Sequence, residues 1–233
     1  MAQKEGAIEW YRVKIPREEL KKLTRRSDVL ALAQSVGFLL VLVATGTASW
    51  IAWEASEAGT FPVAGVIPFV FIHGTAWAFL LQGHHELVHY TVFKTRWLGT
   101  LFLGIYSFLG WFDPVYFKLS HTRHHLYTLH PPKDREVQLP IRMRLWHYLR
   151  VAIIDPLGLW DRLRGTIIKM FGGHTSEWER EIVEEAGPQG RRKLIAWNWF
   201  MFTGHLAIAL VAVLTQQWQL IVLVNLAAFY GRW

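Results

Sequence analysis

Seven of the eleven histidines fall in two short stretches, HHELVH at 84–89 and HTRHHLYTLH at 121–130. Imidazole is a ligand for zinc, copper, iron and nickel alike. On a helix, residues three and four apart share a face. His85 and His89 therefore point one way, and so do His121, His124 and His125. Five imidazoles exceed what one catalytic zinc takes from protein, usually three ligands plus water. They suit two metals, each with open positions. Imidazole serves iron well, but ligand type alone does not fix the metal.

The first stretch reads two ways. As H-E-x-x-H, His85 to His89 is a zinc-protease pattern with Glu86 as base for a metal-bound water. That reading leaves two histidines of the second stretch unexplained. As H-x-x-x-H, it is half of a larger cage, and Glu86 orients an imidazole. His84 is offset by one position and faces elsewhere. His130 sits beside Pro131-Pro132, which end the helix. With Glu86, these two are candidate neighbours of the ligands. His73, His147, His174 and His205 stand alone and read as hydrogen-bonded structural residues. His205 lies within an apolar stretch, where a polar group more often has a function.

The elements that carry these residues are apolar. The 233 residues include 13 Trp, 14 Phe and 7 Tyr, and just over half are hydrophobic, a composition that points to a membrane. There is no Cys, which excludes disulfides, thiolate metal sites and thiol nucleophiles. At about 1.5 Å per residue, some 20 apolar residues cross the ~30 Å hydrocarbon layer. Residues 29–53, 61–82, 194–214 and 217–233 qualify as four spans. Residues 1–28 carry charge throughout, lack a signal-peptide core and read as a cytosolic basic tail. Its Ile8, Trp10, Tyr11, Val13 and Leu20 either rest on the membrane surface or belong to a solvated tail.

Lys and Arg alternate across these spans. Eight precede the first and none lie between first and second. Lys94 and Arg96 follow the second, fourteen lie from Lys118 to Lys193, and none lie between third and fourth. The positive-inside rule then places both termini and both histidine stretches in the cytosol. This segregation by membrane side argues against nucleic-acid binding. Residues 97–117 are apolar too, but a full crossing would separate the two histidine stretches. They read as a re-entrant or interfacial hairpin broken at Gly104, Gly110 and Pro114. Residues 141–171 read as surface-lying amphipathic helices broken near Pro156. Residues 172–193 read as an exposed cytosolic segment. The expected fold is an all-α polytopic membrane protein, with residues 29–233 as one membrane domain.

GHHELVHYTVFKTRWLG, followed by FDPVYFKLSHTRHHLYTLHPP, resembles the first two histidine boxes of the membrane fatty acid desaturases. That family is related to alkane hydroxylases and carotenoid-ring oxygenases. The resemblance runs over roughly residues 60–233. It implies a di-iron site at the cytosolic face, with His85, His89, His121, His124 and His125 as ligands. It implies O2 as co-substrate and introduction of a double bond into an acyl chain carried as lipid, CoA or ACP ester. Electrons would come from a donor such as a ferredoxin, rubredoxin or cytochrome b5, which a basic cytosolic face would suit. The chemistry agrees: a methylene C–H has no acidity for a base to exploit, so an oxidising metal–oxygen cofactor must supply the power. The family also uses a third H-x-x-H-H box, which nothing between His125 and Trp233 resembles. The chain is therefore expected to be C-terminally incomplete, and active only within a longer protein. The alternatives are a hydroxylase or ketolase with the same cage, a membrane zinc protease, and a non-catalytic metal- or heme-binding membrane protein.

Overall fold

The computed structural model of the chain describes residues 10–11, 13–137 and 144–231, without the side chains of His147, Tyr148, Arg150 and Val151. Ile8 and the last two residues of the expected fourth span lie outside the described residues, and of His147 only the backbone is described. The described residues form ten α-helices and no strand. These are α1 (Arg17–Leu23), α2 (Asp28–Glu57), α3 (Val63–Ala78), α4 (Leu80–Val88), α5 (Arg96–Gly110), α6 (Pro114–Tyr127), α7 (Leu145–Ile153), α8 (Pro156–Met170), α9 (Glu177–Glu185) and α10 (Gly187–Leu214). The protein is an all-α membrane protein. Arg17–Glu57, Val63–Val88 and Gly187–Leu214 are long and apolar enough to cross a bilayer. A fourth crossing arises only if α5 and α6, bent by 102° to one another, count as one span.

In α2 the large apolar side chains point outward, Val29, Leu30, Leu40, Val43 and Ile51 among them. Its buried positions are Ala31, Ser35, Leu42, Ser49 and Ala52, small in all but one case. Lipid is as apolar as leucine, so membrane helices associate through small residues that let backbones approach. Gly46 on this face leaves room for the His73 ring of α3, whose carbon would lie 3.2 Å from a Cβ there. His73 is buried, with Thr45 Oγ1 at 2.8 Å and the Leu223 carbonyl at 2.9 Å. The structural reading of this histidine fits its contacts.

The α5–α6 pair is bent by 102°, and Gly110 and Pro114 bound its break as the sequence reading has it. Trp111 takes a left-handed conformation after Gly110. Asp113 caps α6 and Pro114 occupies its first turn, where a missing N–H is harmless. Gly104 does not break α5, since a single interior glycine costs a helix only about 1 kcal/mol relative to alanine and the helix runs through.

Two segments depart from the sequence reading. Residues 217–231 do not form a continuous helix but a π-helical turn, Ile221–Asn225, and a 3-10 turn, Ala227–Phe229. Distant donors capture the backbone carbonyls there: His73 takes Leu223 and the Trp111 indole takes Asn225, at 2.9 and 3.0 Å. Irregular backbone within an apolar protein persists only when buried and satisfied in this way. The α7–α8 break falls just before Pro156, with Ile153, Ile154 and Leu157 exposed and Asp155 buried. Ile154 pairs antiparallel with Tyr230, whose ring fills the space left by Gly74 of α3. The segment 172–193 is not simply exposed, since α9 buries Trp178, Glu179, Ile182 and Val183 and packs on α6 and α10.

Candidate metal centre

Helix α4 continues the second span past Gln82, and that continuation carries the first histidines beyond the apolar stretch. Leu80, His84, Leu87 and Val88 face inward. His85 and His89 lie on the adjoining face, toward α6. The chain leaves α4 at Tyr90, whose φ of 57° ends the helix. Arg26 holds that exit by donating to the Tyr90 and Phe93 carbonyls at 2.9 and 3.3 Å. Asp28 accepts from the Lys94 and Thr95 amides at 2.8 and 2.9 Å. The base of the first span thus fixes the loop behind the first box.

On the other side Asp113 sets α6. Its carboxylate accepts from the Val115 and Tyr116 amides at 3.0 Å and from Asn198 of α10 at 2.7 Å. The Phe117 ring stacks on His121 at 4.8 Å between centroids.

These two helices bring ligand nitrogens of His85, His89, His121 and His125 within 4.8 Å of one another. The Nε2 atoms of His121 and His125 are 3.0 Å apart. Two nitrogens bound at right angles to an ion at ~2.1 Å stand about 3 Å apart. The cluster therefore fits one transition-metal ion. His124, the fifth residue assigned from the sequence, stands off, with ring centroids 5.6 Å from His121 and 5.9 Å from His125. Donors for a second ion are not assembled among the described residues.

The far nitrogens are held by carboxylates. His85 Nδ1–H donates to Glu86 at 2.9 Å, His121 Nδ1–H to Glu136 at 2.7 Å, and His124 Nδ1–H to Asp134 at 2.8 Å. Such partners fix the tautomer and leave Nε2 bare for a metal. Burial raises the Asp134 carboxyl, but the Leu129 and Glu136 amides and His124 outweigh it, so its pKa is lowered. Burial, then the neighbouring His121 and His85, push His89 below the usual histidine value and keep its lone pair available.

Asp134 and Glu136 were not singled out from the sequence. Their only signal was acidity just past a histidine box, because the loop that folds them back is set by Leu129 at φ 62°. Glu86 lies behind His85. His130 is turned away, donating to the Tyr127 and Thr128 carbonyls at 2.9 and 2.7 Å. Trp10 of the N-terminal segment meets its ring edge-on at 5.7 Å. Trp10 also caps α6 through the Leu126 carbonyl at 3.1 Å. His84 is fully buried against Ser107, 2.9 Å away. His205 is stacked on Trp111 at 3.8 Å and bonded to the Phe108 carbonyl at 2.9 Å, and is not one of the clustered histidines.

Beside the cluster lies a cavity of 610 Å³, with Trp77, Phe79, Leu81, Phe112 and Phe117 in its wall. Phe117 lines this cavity and also stacks on His121, so it is shared between the cavity and the cluster. No curated protein and no solved structure matches the chain. A family model described as fatty acid desaturase matches residues 59–233, the stretch that holds the histidine cluster and the cavity. The chain belongs to the fatty acid desaturase family, membrane-bound oxidoreductases, generally di-iron, that act on fatty acyl substrates with an electron donor.

Proposed function

We propose that the chain's histidine cluster holds iron and that the protein introduces a double bond into a fatty acyl chain. The observation that carries this reading is the convergence of four imidazole nitrogens within 4.8 Å. His85, His89, His121 and His125 hold the ion, and His124 turns toward a second one that needs further donors. When bound, iron supplies with O2 the oxidising power that an unactivated methylene requires. Two hydrogens leave the chain, and with O2, two electrons and two protons they end as two waters.

The protein's own residues prepare this. Glu86, Glu136 and Asp134 orient imidazoles and keep Nε2 deprotonated. The aromatic wall takes an extended acyl chain and keeps water from it. Phe117 sets how near that chain comes to the cluster. The histidines and both termini face the cytosol, following the Lys and Arg distribution. There a ferredoxin, rubredoxin or cytochrome b5 would deliver electrons. The acyl group arrives as a lipid, CoA or ACP ester.

The test is expression of the full-length protein with a donor system, followed by product and metal analysis. A new double bond with no added oxygen, together with bound iron, is the expected result. An alcohol or ketone would move the assignment to a hydroxylase or ketolase with the same cage. Bound zinc with peptide cleavage lost in Glu86→Gln would move it to a protease. His121→Ala is expected to lose both iron and product, and His174→Ala neither.

A further inference from the structure

A second cavity, of 620 Å³, lies between α2, α4 and α5, and none of the clustered histidines lines it. Its α2 wall is Leu30, Ala31, Gln34, Ser35 and Phe38, positions that share one face of a helix. The facing wall is Phe79, Gly83, Glu86 and Leu87, again one face, at the start of and along α4. Tyr106 of α5 backs the cavity, and its hydroxyl donates to the Ser35 carbonyl at 3.1 Å. It shares only Phe79 with the 610 Å³ cavity.

The two ends of this groove differ in polarity. Arg25 and Arg26 stand at the end that precedes α2. Arg26 donates to the Tyr90 and Phe93 carbonyls, which brings the far end of α4, with Glu86 and Thr91, to the same level. Phe38 and Phe79 stand at the other end. From Leu30 to Phe38 the groove descends about 12 Å along α2, within the charge-free stretch 29–53 of the first span. It therefore starts at the charged foot of the span and runs into the hydrocarbon layer. Leu30 and Phe79 on its rim are 66% and 58% exposed, so it opens sideways to lipid.

The charged end is positive. The Arg25 side chain is exposed and engages no acid among the described residues. The two carbonyls that Arg26 holds are neutral and leave its charge uncancelled. Glu86, the carboxylate in the wall, is taken up by His85 at 2.9 Å. From Lys14 to Arg26 the chain sets six Lys and Arg against Glu18 and Glu19. Such a cluster beside a membrane span attracts anionic lipid. Gln34, between the two ends, offers an amide donor at a depth where a polar group needs a partner.

We propose that this groove binds one anionic phospholipid of the surrounding leaflet. Its phosphate sits on Arg25 and Arg26, an ester carbonyl meets Gln34, and one acyl chain runs along Leu30, Phe38 and Phe79. A zwitterionic lipid brings a cation to the same guanidinium groups and is disfavoured. The site is independent of the reaction assigned to the histidine cluster.

The test is native mass spectrometry of the full-length protein in detergent, titrated with phosphatidylglycerol or with phosphatidylcholine of identical acyl chains. The wild-type protein is expected to hold the first about tenfold more tightly, the order that two guanidinium groups opposed by one carboxylate supply. Arg25→Gln should cut the ratio to about twofold. Lys21→Gln with Lys22→Gln, outside the groove wall, should leave it near the wild-type value. Gln34→Trp fills the groove without changing charge and should remove the preference. All four positions are exposed, so each variant should keep its helical content by circular dichroism. Equal retention of both lipids by the wild type overturns the proposal. So does a Lys21/Lys22 variant that lowers the ratio as far as Arg25→Gln does, since the attraction is then diffuse, or a preference that survives Gln34→Trp. Displacement of phosphatidylglycerol by an equal concentration of a long-chain fatty acid gives the groove to a free acid and overturns the phospholipid assignment.

Discussion

An imidazole offers a metal one nitrogen, and what its other nitrogen touches decides whether that offer stands. His121 is the clearest case: buried, stacked by Phe117, and held by Glu136 at 2.7 Å. Glu136 is itself fixed by Ser120 at 2.8 Å, and Ser120 by the Trp178 indole at 3.4 Å. The orientation of one ligand thus reaches back to α9. Loss of such a partner typically lowers metal affinity about 10–100-fold. Glu136→Gln is expected to weaken iron binding by that order while leaving the helical content unchanged. Titration of the metal-free protein with iron, followed by circular dichroism, checks both; unchanged affinity would remove Glu136 from the site. The ligand types were legible from spacing alone. The identity of their carboxylate partners was not, because Asp134 and Glu136 lie ten and fifteen residues away from the imidazoles that they hold.

At the scale of elements, the two boxes meet because α5 and α6 turn back at Trp111–Asp113. Three features make this turn: a left-handed Trp111, the Asp113 cap and the small Gly110, against which Phe112 packs. Asp113 also ties α6 to α10 through Asn198 at 2.7 Å. Replacing a carboxylate cap with alanine typically costs about 0.5–2 kcal/mol, and here the buried Asn198 amide loses a partner too. Asp113→Ala is expected to lower the melting temperature in detergent and to weaken metal binding as α6 drifts from α4. Full stability with full metal content in that variant would contradict the assigned role of the turn. Gly110 and Pro114 announced the break. Gly104 did not behave alike, since one interior glycine costs a helix only about 1 kcal/mol and α5 runs through it. The irregular 221–229 stretch was not visible in its own residues, which are apolar enough for a span. Its carbonyls bend out because His73 and Trp111, 150 and 114 residues away, offer donors.

For the whole molecule, two expectations follow. With no native cysteine, single introduced cysteines report sidedness without background. Lys94→Cys and Ala58→Cys, both at exposed positions, should react with a membrane-impermeant thiol reagent from opposite sides of the bilayer, the first from the cytosol. Labelling of both from one side would overturn the orientation drawn from Lys and Arg. The second concerns pH. Glu179 and Lys169 form a pair at 2.7 Å with side chains 2% and 13% exposed. Burial opposes the Glu179 charge, but Lys169 and two bonds from Thr175 prevail, so its pKa lies below the usual 4.5. A carboxylate with a lowered folded pKa stabilises above its unfolded value and loses that contribution as pH falls through the folded one. Glu179→Gln leaves Lys169 buried without its counter-charge, at a cost of about 3–5 kcal/mol. The gap between wild-type and variant melting temperatures should be wide at neutral pH and narrow below about 4.5, the unperturbed value. A gap independent of pH would show that the pair does not act through charge.

The sequence by itself determined the helical class, the apolar segments, and the histidines that converge. It did so because helical period, span length and ligand chemistry are local properties of a few consecutive residues. It also placed four of the five named imidazoles in one cluster through i, i+4 spacing on two helices. Only the tertiary structure decided that His124 turns to Asp134, and that α9 is buried. It alone showed that the last apolar stretch breaks into turns, and that His84 is buried against Ser107. Each of these depends on a donor, acceptor or ring supplied from a distant part of the chain, and local periodicity carries no information about such a partner.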